Sequence, residues 1–173
     1  MQILAARKYY TPRNGPLTAE QTEARRLAYA IKSTASPSAD FDTAAREVAA
    51  LITGPCWLIP IPDSTGNTDA NTRLAAMIAH RCPGAQVVKA IRRTQPVQSQ
   101  CARHKLALGP IPPDQHHFAR TGKFLTLRQT YFVDNVTTSG HTMQAARAAL
   151  GFGTGLVFAD AAPRRVQIQA TLF

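Results

Sequence analysis

Acidic residues are scarce in this sequence: ten aspartates and glutamates stand against twenty lysines and arginines, a formal net charge of +10 over 173 residues. Cysteine is scarcer still. Cys56, Cys82 and Cys101 are odd in number and widely spaced, with no CxxC pair or Cys/His ligand cluster, so neither a disulfide framework nor a structural zinc site is indicated. His116 and His117 are adjacent, and neighbouring residues point different ways in regular structure, which argues against a shared metal. No apolar run reaches the roughly 18 residues of a membrane span. The opening MQILAARKYYTPRNG lacks the long apolar core of a secretory signal, and a cytoplasmic location is expected. Internal repeats and low-complexity tracts are absent. Neither the GxxxxGK[ST] phosphate loop nor the GxGxxG dinucleotide pattern occurs.

What remains is a globular composition, 45% hydrophobic and 17% charged, with enough chain for one domain and a real core. The positive charge is concentrated. Residues 89–128 hold Lys89, Arg92, Arg93, Arg103, Lys105, Arg120, Lys123 and Arg128 against Asp114 alone, a local excess of +7, whereas residues 1–53 carry seven bases and five acids. A basic segment of this kind implies an anionic partner, either a phosphorylated small molecule or nucleic acid.

The pattern of apolar residues alternates strands with helices. Residues 2–6 form a short strand. Thr18 caps a helix with Gln21 as capping-box partner, followed by Ala24, Leu27, Ala28 and Ile31 at helical spacing. Asp40 is expected to cap a second helix carrying Ala44, Ala45, Val48, Leu51 and Ile52. Cys56–Ile61 reads as a buried strand, residues 72–80 as a helix, and Gln86–Ile91 as a second strand. Residues 92–128 read as one long irregular, basic, proline-containing loop, a feature that is usually functional or mobile. Gln129–Val133 is the third buried strand, a helix runs through Met143, Ala146 and Leu150, Gly155–Ala159 is another strand, and Val166–Leu172 alternates as an edge strand would. The sum is an α/β fold with a mainly parallel twisted sheet flanked by helices, one domain over 1–173 with its core at about 40–160. Three polar loops, 62–71, 92–128 and 134–142, leave consecutive strand ends, where ligands of such sheets bind.

The last of these loops carries the chemistry. Thr137, Thr138, Ser139 and Thr142 supply hydroxyls, Gly140 permits a tight turn and close approach, and the amides at the start of the next helix favour an anion. Asp134 and Asn135, immediately before, can hydrogen-bond neighbouring hydroxyls of a sugar attached to that anion. A strand-to-helix turn rich in capping residues has a similar composition without any ligand.

The order of residues in Tyr131–Met143 resembles the signature of type I phosphoribosyltransferases: an apolar strand (Phe132, Val133), an acidic pair (here Asp134-Asn135), an apolar residue (Val136), then a Thr/Ser-Gly-x-Thr loop (Thr137–Thr142). Within that family the chain looks most like the ComF-type, competence-associated members. Leu58–Pro62 resembles their strand-end PxP, Asn71 an asparagine near the start of the next helix, and Arg92-Arg93-Thr94, Gln98 and Arg103 a basic segment, all in the family's order over about residues 56–150. Two departures stand out. The second acid is Asn135, which keeps hydrogen bonding and loses a negative charge, and the Arg-rich Gly-Phe-Asn stretch is replaced by DSTGNTDAN.

The resemblance implies a type I phosphoribosyltransferase-like fold with a small hood built from the terminal segments. It also implies a pentosyltransferase activity on 5-phosphoribosyl-1-pyrophosphate, with magnesium as cofactor. Residues Thr137, Thr138, Ser139, Gly140, His141 and Thr142 would hold the 5-phosphate, and Asp63, Ser64, Thr65, Gly66 and Asn67 the pyrophosphate. Asp134 and Asn135 would hold the ribose, with Asp134 meeting the metal indirectly through the substrate. Arg92 and Arg93 would stabilise the departing charge. The acceptor, a nucleobase among the choices, is not identified by any pattern. Tyr9, Tyr10, Trp57 and Phe158 are the aromatic candidates for stacking on it. A homodimer and a nonenzymatic protein that senses the same ligand, or holds nucleic acid through residues 89–128, stay open alongside the enzyme.

Overall fold

The computed structural model describes residues 1–10, 16–122 and 128–161. The elements run β1 (Ile3–Lys8), α1 (Ala19–Ala30), α2 (Ser38–Ala49), β2 (Cys56–Pro60), α3 (Asp69–Ala79), β3 (Gln86–Val87), β4 (Ile91–Arg93), α4 (Gln100–Lys105), β5 (Phe118–Arg120), β6 (Gln129–Thr137), α5 (His141–Leu150) and β7 (Thr154–Asp160). Five strands form one parallel sheet in the order β1-β7-β6-β2-β3, and β4 and β5 pair separately as an antiparallel ribbon. This is an α/β architecture with helices on both faces of the sheet.

The alternation of side chains along each strand divides the core in two. Tyr131 and Val133 of β6, Leu58 of β2, and Leu156 and Phe158 of β7 join Leu27, Phe41, Val48, Leu74 and Ile78 from α1, α2 and α3. Phe132, Ile59 and Val157, one position out of phase, join Met143, Ala146 and Leu150 of α5 on the opposite face. Both faces being covered is why these strands are continuous apolar runs. Phe41 and Phe132 are fully buried, and each such side chain contributes roughly 1.5–3 kcal/mol through burial.

Local signals account for much of this. The capping box forms, with Gln21 N donating to Thr18 Oγ1 at 3.3 Å and Thr18 N to Gln21 Oε1 at 3.0 Å. Gly140 and Gly151 flank α5 in left-handed conformation, the first turning the chain out of β6 and the second ending the helix. Among the described residues no helix is long and apolar enough to cross a membrane.

Several expectations are corrected. Asp40 does not cap α2. The helix begins at Ser38 after Pro37, and Asp40 instead accepts from Arg26 Nη2 at 2.8 Å. α3 begins at Asp69, ahead of Thr72, because Asn67 Oδ1 accepts from Asp69 N at 2.7 Å and orders the first turn. Gln86–Ile91 is not one strand. Val88 N still reaches Leu58 O, but Ala90 N turns back to Val88 O and the chain leaves the sheet, so Ile91 pairs with Arg120. The segment 92–128 is not one irregular loop either, since it contains the end of β4, α4, a 3-10 turn at Pro113–His116, and β5. β6 runs on to Thr137, paired with β7 as far as Asp160, so Asp134, Asn135 and Val136 are strand residues. In the N-terminal segment, Ile3–Lys8 pair with β7 in register as β1, at one end of the described sheet. The tail 162–173, with the edge strand expected at Val166–Leu172, and Lys123 lie outside the described residues.

Candidate functional site

The carboxyl ends of β1, β7, β6 and β2 lie side by side, and the loops that carry the candidate residues leave from β2 and β6. These two strands are neighbours to their last pairs, with Pro60 opposite Val133 and Ile61 N donating to Val133 O at 3.0 Å. The loop 61–68 and the turn 138–140 therefore start next to each other.

Asp134 is the centre of this edge. It is half-buried, and its Oδ1 accepts from Asn71 Nδ2 at 3.1 Å and from Asn135 N at 2.8 Å. Burial pushes its carboxyl up to about 6, opposed by those two hydrogen bonds and by the charges of Lys32 and Arg93. Asn71, buried on the first turn of α3, also donates to Ile61 O at 2.8 Å and so ties α3 to the end of β2. Asn135 turns elsewhere. It is buried, its Oδ1 accepts from Val136 N at 2.8 Å, and its Nδ2 donates to Ala28 O of α1 at 3.4 Å. The acidic-pair position is thus divided: Asp134 belongs to the strand-end cluster and Asn135 to the α1 contact.

The turn after β6 is built for close approach. Gly140 has φ 77°, and Ser139 Oγ accepts from His141 N at 3.3 Å. Gln144 N begins the helical ladder on Gly140 O at 3.0 Å. The amides of Thr142 and Met143 lie between these two bonded positions, at the positive end of a helix of 10 residues. Thr138 is exposed, and Ser139 and Thr142 are half-buried. Thr137 is buried beneath the turn as the last residue of β6, and its carbonyl accepts from Ala161 N. His141 faces away from the turn, its Nδ1 2.9 Å from Ile111 O.

In the neighbouring loop, Asp63 organises its own surroundings. Its Oδ1 accepts from Thr65 N at 2.8 Å, Thr65 Oγ1 at 2.7 Å and Asn67 N at 3.0 Å. Gly66, at φ 98°, closes the turn, and Ser64 O accepts from Val97 N at 2.8 Å.

Arg92 and Arg93 part company. Arg92 is exposed on β4. Arg93 is a bracket: its Nε donates to Asp63 O at 2.7 Å, Nη2 to Pro62 O at 3.5 Å and Nη1 to His116 O, with the guanidinium 4.4 Å from the Phe118 ring centre. Burial lowers its pKa, countered by the charges of Asp63 and Asp134. Together with the His141 and Val97 contacts, it fastens the segment 94–117 to both polar loops. His116 is buried there with no hydrogen-bond partner for either ring nitrogen among the described residues. Its pKa is pushed down to about 4 by burial first and by Arg93 second.

The basic segment does not converge as a whole. Arg103 Nε donates to Gly109 O, Lys105 and Arg120 are exposed, and Arg128 lies 4.9 Å over the Trp57 ring at the amino end of β6. Arg128, Arg147, Gln2 and Thr154 line a cleft at that far end of the sheet. Of the aromatic candidates, Phe158 is in the core and Tyr9 packs on Tyr29, ring centres 6.4 Å apart. Cys56 and Cys82 are buried free thiols, the first pushed up to about 11 by burial.

The structure adds residues that the sequence reading passed over. Lys32, just beyond α1, sends its charge toward Asp134, and Asp160 is a buried acid at the end of β7 opposite Thr137. Lys32 reads in sequence as a solvated helix end, and Asp160 as an ordinary turn residue. No group of three or more His, Cys, Asp or Glu that could hold a metal occurs among the described residues.

No family model and no curated protein matches the chain.

Proposed function

We propose that this protein is a type I phosphoribosyltransferase-like enzyme. It binds 5-phosphoribosyl-1-pyrophosphate with magnesium and transfers the phosphoribosyl group to an acceptor such as a nucleobase. The observation that carries the reading is the adjacency, at the carboxyl end of one parallel sheet, of the Gly140 turn, the Asp134 carboxylate and the 63–67 loop. A phosphate at the turn meets the helix amides of Thr142 and Met143 and the hydroxyls of Thr138 and Ser139. Asp134 lies on the strand just before, within reach of the sugar joined to that phosphate. The free oxygen of its carboxylate accepts a ribose hydroxyl, and its charge favours the positive carbon that develops as pyrophosphate leaves. Lys32 and Arg93 add positive potential for an anionic ligand, and the exposed Arg92 is free to meet the leaving group.

Magnesium fits this donor set in one way only. The cation is commonly held by one or two carboxylates together with substrate phosphates, and Asp134 is such a carboxylate, acting through the substrate. When bound, the ion neutralises the charge gathering on the leaving pyrophosphate.

Calorimetry with the sugar pyrophosphate and magnesium tests the reading. Binding by the wild type, lost in Asp134→Ala and Gly140→Val, supports it. No heat at millimolar ligand sinks it. Release of pyrophosphate with a panel of bases then separates a transferase from a binder.

A second reading has its own support. Asn135 is consumed by α1 and Asp63 already fills its own loop, which favours a nonenzymatic protein that senses this ligand or holds nucleic acid through residues 89–128. Binding to single- or double-stranded nucleic acid that weakens steeply with salt, with no pyrophosphate release, would favour it. A cytoplasmic location suits either reading.

A further inference from the structure

The Asp134 carboxylate is held from across the site, by a residue 63 positions away in sequence. An asparagine side chain has two N–H donors and one acceptor oxygen. Asn71 gives one donor to Ile61 O at 2.8 Å and directs the other to Asp134 Oδ1 at 3.1 Å. Ile61 is itself fixed, since its N–H donates to Val133 O at 3.0 Å and its side chain is buried. The amide is therefore anchored at one end on β2, and it fixes the carboxylate at the other end on β6. Asn135 cannot share that work, because its oxygen is taken by Val136 N and its amide faces Ala28 O. With Oδ1 engaged by Asn71 and by Asn135 N, Oδ2 is the oxygen left to meet a ligand.

We propose that Asn71 is the positioning residue of this site: it orients Asp134 so that Oδ2 receives the sugar hydroxyl, the role that the second member of the acidic pair does not fill. The proposal deepens the sugar-pyrophosphate reading and rests on it for the identity of the ligand. Asn71 does not touch the reacting carbon. It acts through Asp134, on the geometry of one oxygen.

The groups that face Asp134 are Lys32 from the end of α1, Arg93 from β4, Asn71 from α3 and the Asn135 amide from its own strand. Lys32 and Arg93 remain in an Asn71 variant, so a change at the Asp134 carboxyl reports the lost amide.

The experiment has two readouts on the full chain. Carbon-detected NMR of the aspartate carboxyls, assigned with Asp134→Asn, gives the Asp134 carboxyl resonance in wild type and in Asn71→Ala. Calorimetry with the sugar pyrophosphate and magnesium gives affinity at pH 8. The expected result is a moved Asp134 resonance and affinity about 3- to 10-fold weaker in Asn71→Ala. In the Asp134→Asn background, Asn71→Ala costs no further affinity. An unmoved Asp134 resonance, or the same loss of affinity in the Asp134→Asn background, overturns the proposal. If Asn71→Ala does not fold, Asn71→Ser serves, because a single hydroxyl donor cannot satisfy both Ile61 O and Asp134. A wild type that ignores the sugar pyrophosphate overturns the ligand reading instead, and the Asp134 carboxyl resonance then decides the Asn71–Asp134 pairing alone.

Discussion

Replacing Asp134 by Asn separates what this carboxylate does for a ligand from what it does to the fold. An isosteric amide keeps an oxygen for Asn71 Nδ2 and Asn135 N, so the hydrogen bonds at 3.1 and 2.8 Å survive. What disappears is a charge whose pKa is raised from 3.8 to about 6, with burial the largest cause. A carboxyl with a raised folded pKa binds its proton more tightly in the native state than in the unfolded one. Its ionisation therefore costs nothing below the unfolded value, costs progressively more as pH rises from about 4 to about 6, and costs a constant amount above that. A shift of about two units corresponds to about 3 kcal/mol. Asp134→Asn should then be about 1 kcal/mol more stable than wild type near pH 4.5 and about 3 kcal/mol more stable near pH 8. Near pH 8 that corresponds to a melting temperature higher by roughly 6–12 °C. Urea unfolding across this pH range, with m-values compared at each point, measures it. The same variant should bind the sugar pyrophosphate far more weakly than wild type. A stability difference that does not grow with pH, or a variant less stable at pH 8, refutes the burial argument.

Three further outcomes follow from the geometry. Arg93→Ala should cost about 2–3 kcal/mol and speed proteolysis within residues 94–117, since three carbonyls lose a charged donor, and Arg93→Lys should restore little because an ammonium cannot span the same acceptors. Gly140→Ala should cost about 1–2 kcal/mol in chemical denaturation, because φ 77° is strained for any residue with a Cβ, and should weaken phosphate-ester binding at the same time. Gly153→Ala should cost about 2–4 kcal/mol with ligand binding retained in the folded fraction, because its Cβ would sit 2.5 Å from Phe132 Cε2 on a backbone at φ 116°.

The parts of this molecule that were legible in sequence are those fixed by neighbours in the chain. The apolar runs of β2, β6 and β7 announce strands covered on both faces, and Thr18 with Gln21 announces the start of α1. Gly140 in its place after an apolar strand announces a tight turn into a helix. What was not legible depends on residues far apart. Nothing near Gln86 shows that the chain will leave the sheet at Ala90, because the partner of Ile91 is Arg120. Nothing near Val133 shows that β6 continues three residues past Asp134, because the support comes from the length of β7. Arg93 reads as one base among eight, and only its three carbonyl partners distinguish it from the exposed Arg92 beside it. Asn135 sits where a ligand residue is expected by pattern, and its engagement with Ala28, 107 positions earlier, has no local trace.

The edge strand β1 has a consequence for how the fold is assembled. Among the described residues its only sheet neighbour is β7, and Ile3 pairs with Gly155, 152 positions further along. During synthesis the first strand therefore has no ladder to join until β7 emerges, while β2 and β3 can pair early. Closing so long a loop is slow, and the waiting strand is an unpaired apolar edge. The kinetics of folding should thus be governed by the capture of β1, and removing β7 should release β1 with it, while β6 stays paired with β2.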